Sequence, residues 1–232
     1  MRMRMTCPLI AVIGVSALAP IPAVAQLMST CVEKAPMPQG HLGCSILQTK
    51  LLPKDLREPV FWHIDRFDSE AATRAGVGDA GVAFQDGGTW WLMTIESDTS
   101  NHRGGRHVAG AGPLPLPPAP RYSMLIQSAV FGPGMYSLPH HHSGVEAVYV
   151  LEGEACYETP TRAAKLQKGE TVVMAAGTPM RAVVTGSARR HVLAVIVHDS
   201  AQPATMRMEE GTGPKLVDCK TLSVDRRTVT PG

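Results

Sequence analysis

The chain has no internal repeat, no block of basic residues and no apolar run long enough to span a bilayer. Its longest apolar stretch, Leu9 to Leu18, ends before Pro20 and falls short of the ~20 residues a spanning helix needs. Charged residues make up only 18% of the 232. Two of the 22 basic residues and none of the 20 acidic ones lie in residues 1–25, so the rest of the chain carries a formal charge of zero. A neutral chain without a basic patch has no electrostatic footprint for nucleic acid or for an anionic membrane surface. Small molecules are the expected partners. The length suits one domain with extensions. What is plentiful is turn chemistry: 22 Gly and 19 Pro leave little room for long helices and point to an all-β fold.

Residues 1–25 combine Arg2 and Arg4, the apolar run and a closing Ala23-Val24-Ala25, the order of a secretory signal peptide cleaved before Gln26. No cysteine directly follows the run and the two arginines are not adjacent, so neither a lipid anchor nor a twin-arginine route is signalled. A periplasmic or secreted protein, free of the membrane after cleavage, is expected. Cys7 would leave with the signal. Cys31, Cys44, Cys156 and Cys219 would then meet an oxidising compartment, where three connectivities are open. Cys31 with Cys44 is the most local pairing, worth about 3 kcal/mol in the chain-entropy model. Cys156, inside an apolar strand pattern, reads equally well as a free core thiol.

Four segments emerge along the chain: residues 1–25 as signal, 26–112 as an N-terminal arm with additional strands, 113–200 as a barrel, and 201–232 as a tail. Gln26 to Pro59 is broken by Pro36, Pro38, Gly40, Gly43 and Pro53 and reads as irregular. Val60 to Phe67 looks extended, Asp68 to Ala75 fits a short helix ended by Gly76, and Trp90 to Ile95 fits a strand after the Gly87-Gly88 turn. Trp90 and Trp91 face opposite ways in that strand, so at most one lines a cavity. Asn101 to Gly112 looks like loop, and Pro113 to Pro120 like an extended connector. Short apolar runs follow at Tyr122–Phe131, Glu146–Leu151, Ala155–Glu158, Thr171–Ala175, Arg181–Thr185 and His191–His198, the pattern of a sandwich or barrel. The polar tail beyond Asp199 is expected to wrap the surface or stay mobile.

Chemistry concentrates at Pro139-His140-His141-His142-Ser143-Gly144-Val145-Glu146. Alternate side chains of a strand share a face, so His140 and His142 point one way and His141 the other. A three-residue turn at Ser143-Gly144-Val145 would set Glu146 opposite His142, with Val148 and Val150 continuing the same face. Two imidazoles and one carboxylate suit a divalent metal: Fe(II) first, and also Mn, Ni, Zn or Cu.

The stretch Gly134, five residues, His140, one residue, His142, three residues, Glu146, six residues, Gly153 resembles the first motif of the cupin superfamily in every signature position. Of the second motif, Gly169 and Gly177 are present, but Ala175 replaces its proline and Met180 its histidine. The resemblance spans roughly residues 120 to 200. It implies a cupin jelly-roll β-barrel, here with an N-terminal extension and a short helix, and a metal held by His140, His142 and Glu146 with Met180 at the fourth position. Tyr136, Arg181 and His198 flank the motifs as candidates to meet a ligand at the barrel mouth, and a homodimer is compatible with the family. The resemblance also implies a choice of functions: a dioxygenase-type oxidoreductase acting on a small organic molecule, a metal-dependent isomerase or lyase, or a non-enzymatic small-ligand binder. The motif holds no Lys or Asp to act as a base, which favours the first over the second.

Overall fold

A computed structural model describes residues 27–28, 32–33, 42–56, 58–97, 103–209 and 211–221. The signal segment and Cys31 lie outside these residues. Elements in chain order are β1 (Leu27–Met28), β2 (Val32–Glu33), β3 (Gly43–Leu51), β4 (Phe61–Phe67), α1 (Glu70–Gly76), β5 (Gly81–Asp86), β6 (Thr89–Glu96), β7 (Arg106–Ala111) and β8 (Tyr122–Phe131). They continue as β9 (Tyr136–Ser137), β10 (His140–His142), β11 (Val145–Glu152), β12 (Glu154–Glu158), β13 (Ala163–Gln167), β14 (Thr171–Met174), β15 (Arg181–Val183), β16 (Arg190–Asp199) and β17 (Thr205–Arg207). The fold is all-β with one short helix, which Ser69 caps by accepting a hydrogen bond from the Ala72 amide.

Three layers organise the molecule. A six-stranded sheet, β14-β11-β16-β8-β3-β2, forms the middle. A five-stranded sheet, β1-β9-β15-β12-β13, packs on one face, and a four-stranded sheet, β5-β6-β4-β7, on the other. The middle sheet is therefore buried on both sides, which explains why β16 reads Val-Leu-Ala-Val-Ile-Val with no polar alternation. Strand parity sorts its side chains. Leu193, Val195 and Val197 pack with Trp62, Ile64, Trp91, Met93 and Ile95 of the outer sheet. Val192 and Ala194 face the other core with Val148, Val150, Ala182 and Val184, as expected for the Val148 and Val150 face.

Several expectations need correction. The 26–59 arm is not irregular throughout: Gly43–Leu51 is a nine-residue strand antiparallel to β8, so it belongs to the barrel's main sheet. Arg106–Ala111, read as loop, pairs with β4; its polar, glycine-bearing sequence carries no apolar period, and the partner strand supplies the order. Of the two alternatives for the tail, its described part takes the first: β17 pairs with β10 and Cys219 is bonded to Cys156. Cys156 is thus no free thiol. Cys44 is also disulfide-bonded, and the Cys31–Cys44 pairing lies outside the described residues. Both ends of the barrel therefore reach past residues 113–200.

The turn after the histidines is not a hairpin. β10 pairs with β17 and bridges Met180, whereas β11 pairs with β14 and β16, so the chain crosses between layers at Ser143-Gly144. The crossing presses Gly144 against β16: a Cβ there would lie 2.0 Å from the Val197 carbonyl oxygen. Only glycine fits such an approach.

Candidate metal and ligand site

His140, His142 and Glu146 line one cavity of about 460 Å³ between the middle sheet and the β10–β15 side. Strand parity in β10 brings the first two together, with ring centroids 5.0 Å apart at 77°. His141 lies outside the lining and pairs with Met206. Glu146 arrives from the other layer, on β11, opposite Ile196 and Met174. The convergence expected from a hairpin is produced instead by two facing layers.

Hydrogen bonds set the imidazole tautomers. His140 Nδ1 lies 2.7 Å from the Leu138 carbonyl oxygen, and His142 Nδ1 lies 3.2 Å from the Ala204 carbonyl oxygen and 3.0 Å from Thr205 Oγ1. A carbonyl only accepts, so each Nδ1 carries the proton and each Nε2 is left for another partner. His142 Nε2 stands 3.5 Å from Glu146 Oε2, and both atoms are buried without a hydrogen-bond partner. Glu146 Oε1 accepts from Gln127 Nε2 at 3.3 Å. Gln127 reaches it diagonally across β16, where Ala194 is the register partner of Gln127 and Ile196 that of Glu146.

Burial opposes charge on both members of this pair, yet each sustains the other. Burial alone would lower the His142 pKa, but the Glu146 carboxylate outweighs it and raises the value. Burial would raise that of Glu146, but His142, His140 and Arg190 together lower it. His140 is lowered by burial and by the neighbouring His142 charge. Among the described residues, no three His, Cys, Asp or Glu side chains have their donors already set around one point as a bound ion requires. Two electron-rich atoms that face each other in a buried site still need a proton or a cation between them.

Met180 is 1% exposed, lines the cavity and exchanges backbone hydrogen bonds with His140. Tyr136, Arg181 and His198 are not lining residues. Arg181 is committed to the buried Glu158, donating from Nε at 2.8 Å and also from Nη2, and it stacks over Tyr136 at 5.5 Å. Glu158 in turn accepts from the Cys219 amide, so this is a joint between barrel and tail. His198 donates from Nδ1 to the Asp199 carbonyl oxygen at 2.9 Å, and burial lowers its pKa. Neither Trp90 nor Trp91 reaches the cavity. The lining residues missed in the sequence are Gln127, Phe131, Tyr157, Arg190 and Arg207. The inward parity of Gln127 with Phe131, and of Arg190 with Val192 and Ala194, was the available signal. A separate cluster in the outer sheet, also missed, joins His107 Nδ1 to Asp65 Oδ1 at 3.1 Å, with the His63 ring 5.9 Å from that of His107.

Residues 128–196 match the cupin domain family. No curated protein matches the chain. Among solved structures, a cupin superfamily protein from Desulfitobacterium hafniense is 18% identical, with 33% of this chain and 68% of that one covered and a TM-score of 0.31. A polyketide cyclase from Streptomyces resistomycificus is 22% identical, covering 39% and 64%, at 0.33. Oxalate oxidase in complex with the substrate analogue glycolate is 20% identical, covering 37% and 45%, at 0.31. The chain spans less than two thirds of the cyclase and less than half of the oxidase. The match at 128–196 lies on strands that build most of the cavity, so this segment of the chain is similar to the cupin domain.

Proposed function

We propose that His140, His142 and Glu146 hold one divalent metal ion and that the protein is a dioxygenase-type oxidoreductase acting on a small organic molecule in the adjoining cavity. The observation that carries the metal reading is the facing pair His142 Nε2 and Glu146 Oε2, buried, 3.5 Å apart and without hydrogen-bond partners. The Nδ1 hydrogen bonds of His140 and His142 fit the same role, since a ligating imidazole is oriented by its second nitrogen. Such an ion supplies Lewis acidity or one-electron chemistry at a site with open positions. The chain's own residues orient the imidazoles, fix one carboxylate oxygen through Gln127 and surround the site with apolar walls.

An isomerase or lyase would need a free base. Among the described lining residues there is no Lys or Asp, Glu146 is engaged, and burial pushes the Tyr157 phenol far up, which keeps it neutral. That favours oxidation over proton abstraction. Export through residues 1–25 is part of the proposal, and the Cys156–Cys219 disulfide supports an oxidising compartment.

Oxygen consumption by protein loaded with Fe(II), Mn, Ni, Cu or Zn, screened over phenolic and small-acid compounds, tests the activity. Substrate-dependent oxygen uptake is the expected result. Turnover without oxygen would select the isomerase or lyase, and tight binding without turnover a binding protein.

A further inference from the structure

Arg190 opens β16 and shares the inward parity of Val192 and Ala194. It is 2% exposed and lies opposite Phe131 in the strand register. Its guanidinium carbon sits 4.4 Å from the Phe131 ring centroid and 5.9 Å from that of Tyr157. Nε and Nη1 are buried with no hydrogen-bond partner. Three other arginines are neutralised: Arg181 by Glu158, Arg103 by Glu96, Arg189 by Glu152. Arg190 forms no salt bridge among the described residues. Glu146, the only carboxylate lining the cavity among the described residues, accepts from Gln127 and turns its other oxygen toward His142; Arg190 attracts it but makes no ion pair with it.

A guanidinium keeps its charge on burial, so the cost must be met by a partner. The two aromatic faces offset part of the desolvation but accept none of its in-plane N–H bonds. The unmet demand is for an anionic acceptor at Nε or Nη1. A carboxylate meets it in charge, and in geometry on the end-on fork that Nη1 shares with Nη2.

We propose that Arg190 anchors an anion subsite of the cavity, which takes the carboxylate of a small organic acid whose apolar body lies along Phe131, Tyr157, Val192 and Ala194. The cavity, about 460 Å³, falls within the range of small-molecule pockets. The inference deepens the proposed function by naming its substrate class. It rests on reading this cavity as the ligand pocket, while the anchoring group is separate from the three metal ligands.

Titration calorimetry with benzoate and its neutral isostere benzamide tests it, using the full chain as purified and again after chelator treatment. Benzoate should bind the chelated wild type at least tenfold more tightly than benzamide does, and Arg190→Met should abolish that preference. Equal binding of the two compounds, no benzoate binding, or an unchanged preference in a folded Arg190→Met protein would overturn the subsite. The wild-type comparison decides even if the variant does not fold. Metal counted in the same as-purified samples separates the two readings: discrimination without metal upholds the subsite against the metal site, and metal without discrimination does the reverse.

Discussion

Gln127 on β8 donates to Glu146 Oε1 on β11 across the intervening β16, and so turns the other carboxylate oxygen toward His142. The contact spans two strand spacings of the middle sheet. Gln127→Leu keeps the volume and removes the donor. It should weaken metal affinity about 10- to 100-fold, the usual effect of losing an outer hydrogen bond to a ligand. Competition against a chromophoric chelator measures this, and an unchanged affinity would show that Glu146 is oriented by something else.

Much of this site was legible because its determinants are local. The alternation of His140, His141 and His142 needs only a strand, and β16 declares itself through six consecutive apolar residues. The partner of β10 was not legible, since Thr205-Met206-Arg207 has no strand signature apart from the pairing it makes. The same holds for Arg106–Ala111, ordered by β4. Arg190 follows Ala188-Arg189 in what reads as a polar turn, and only the register of β16 against β8 shows that it points inward. Arg181 misled in the opposite sense: it flanks the motif, but Glu158 holds it outside the cavity lining.

His141→Ala and His142→Ala separate the two faces of β10. His142→Ala should lose most bound metal, because it removes a donor from the cavity. His141→Ala should keep nearly all of it. Elemental analysis of both proteins decides, and equal losses would mean that the face assignment does not govern binding.

Met180 is an apolar wall residue whose backbone is tied to His140. A thioether is a poor partner for hard cations, so Met180→Leu should leave Fe, Mn or Zn content unchanged and shift stability by less than about 1.5 kcal/mol. Met180→His should tighten retention and lower any activity that uses the open position. Emptying of the site by Met180→Leu, read by elemental analysis, would make the sulfur a ligand and copper the leading metal.

The Cys156–Cys219 bond ties the tail to β12 across a sequence separation of 63 residues. In the chain-entropy model a loop of that size stabilises by about 4 kcal/mol. Cys219→Ser should therefore lower the melting temperature by several degrees. It should also raise proteolysis of the tail near Lys215, because this stretch is then tied to the barrel only by hydrogen bonds such as those of the Cys219 amide to Glu158 and the Val217 amide to Thr159. Calorimetry and limited trypsin digestion report the two effects separately, and a melting temperature equal to wild type would assign the bond no stabilising role.

In the proposed function, His140, His142 and Glu146 close on a cation. The most direct measurement is metal stoichiometry of purified wild type and Glu146→Gln after loading with each of Fe(II), Mn, Ni, Zn and Cu and removal of the excess. The expected result is about one ion per chain for the wild type with at least one of these metals, and a loss of about tenfold or more in occupancy for Glu146→Gln at unchanged fold by circular dichroism. A wild type that retains none of the five, or a Glu146→Gln protein that retains as much as wild type, would contradict it.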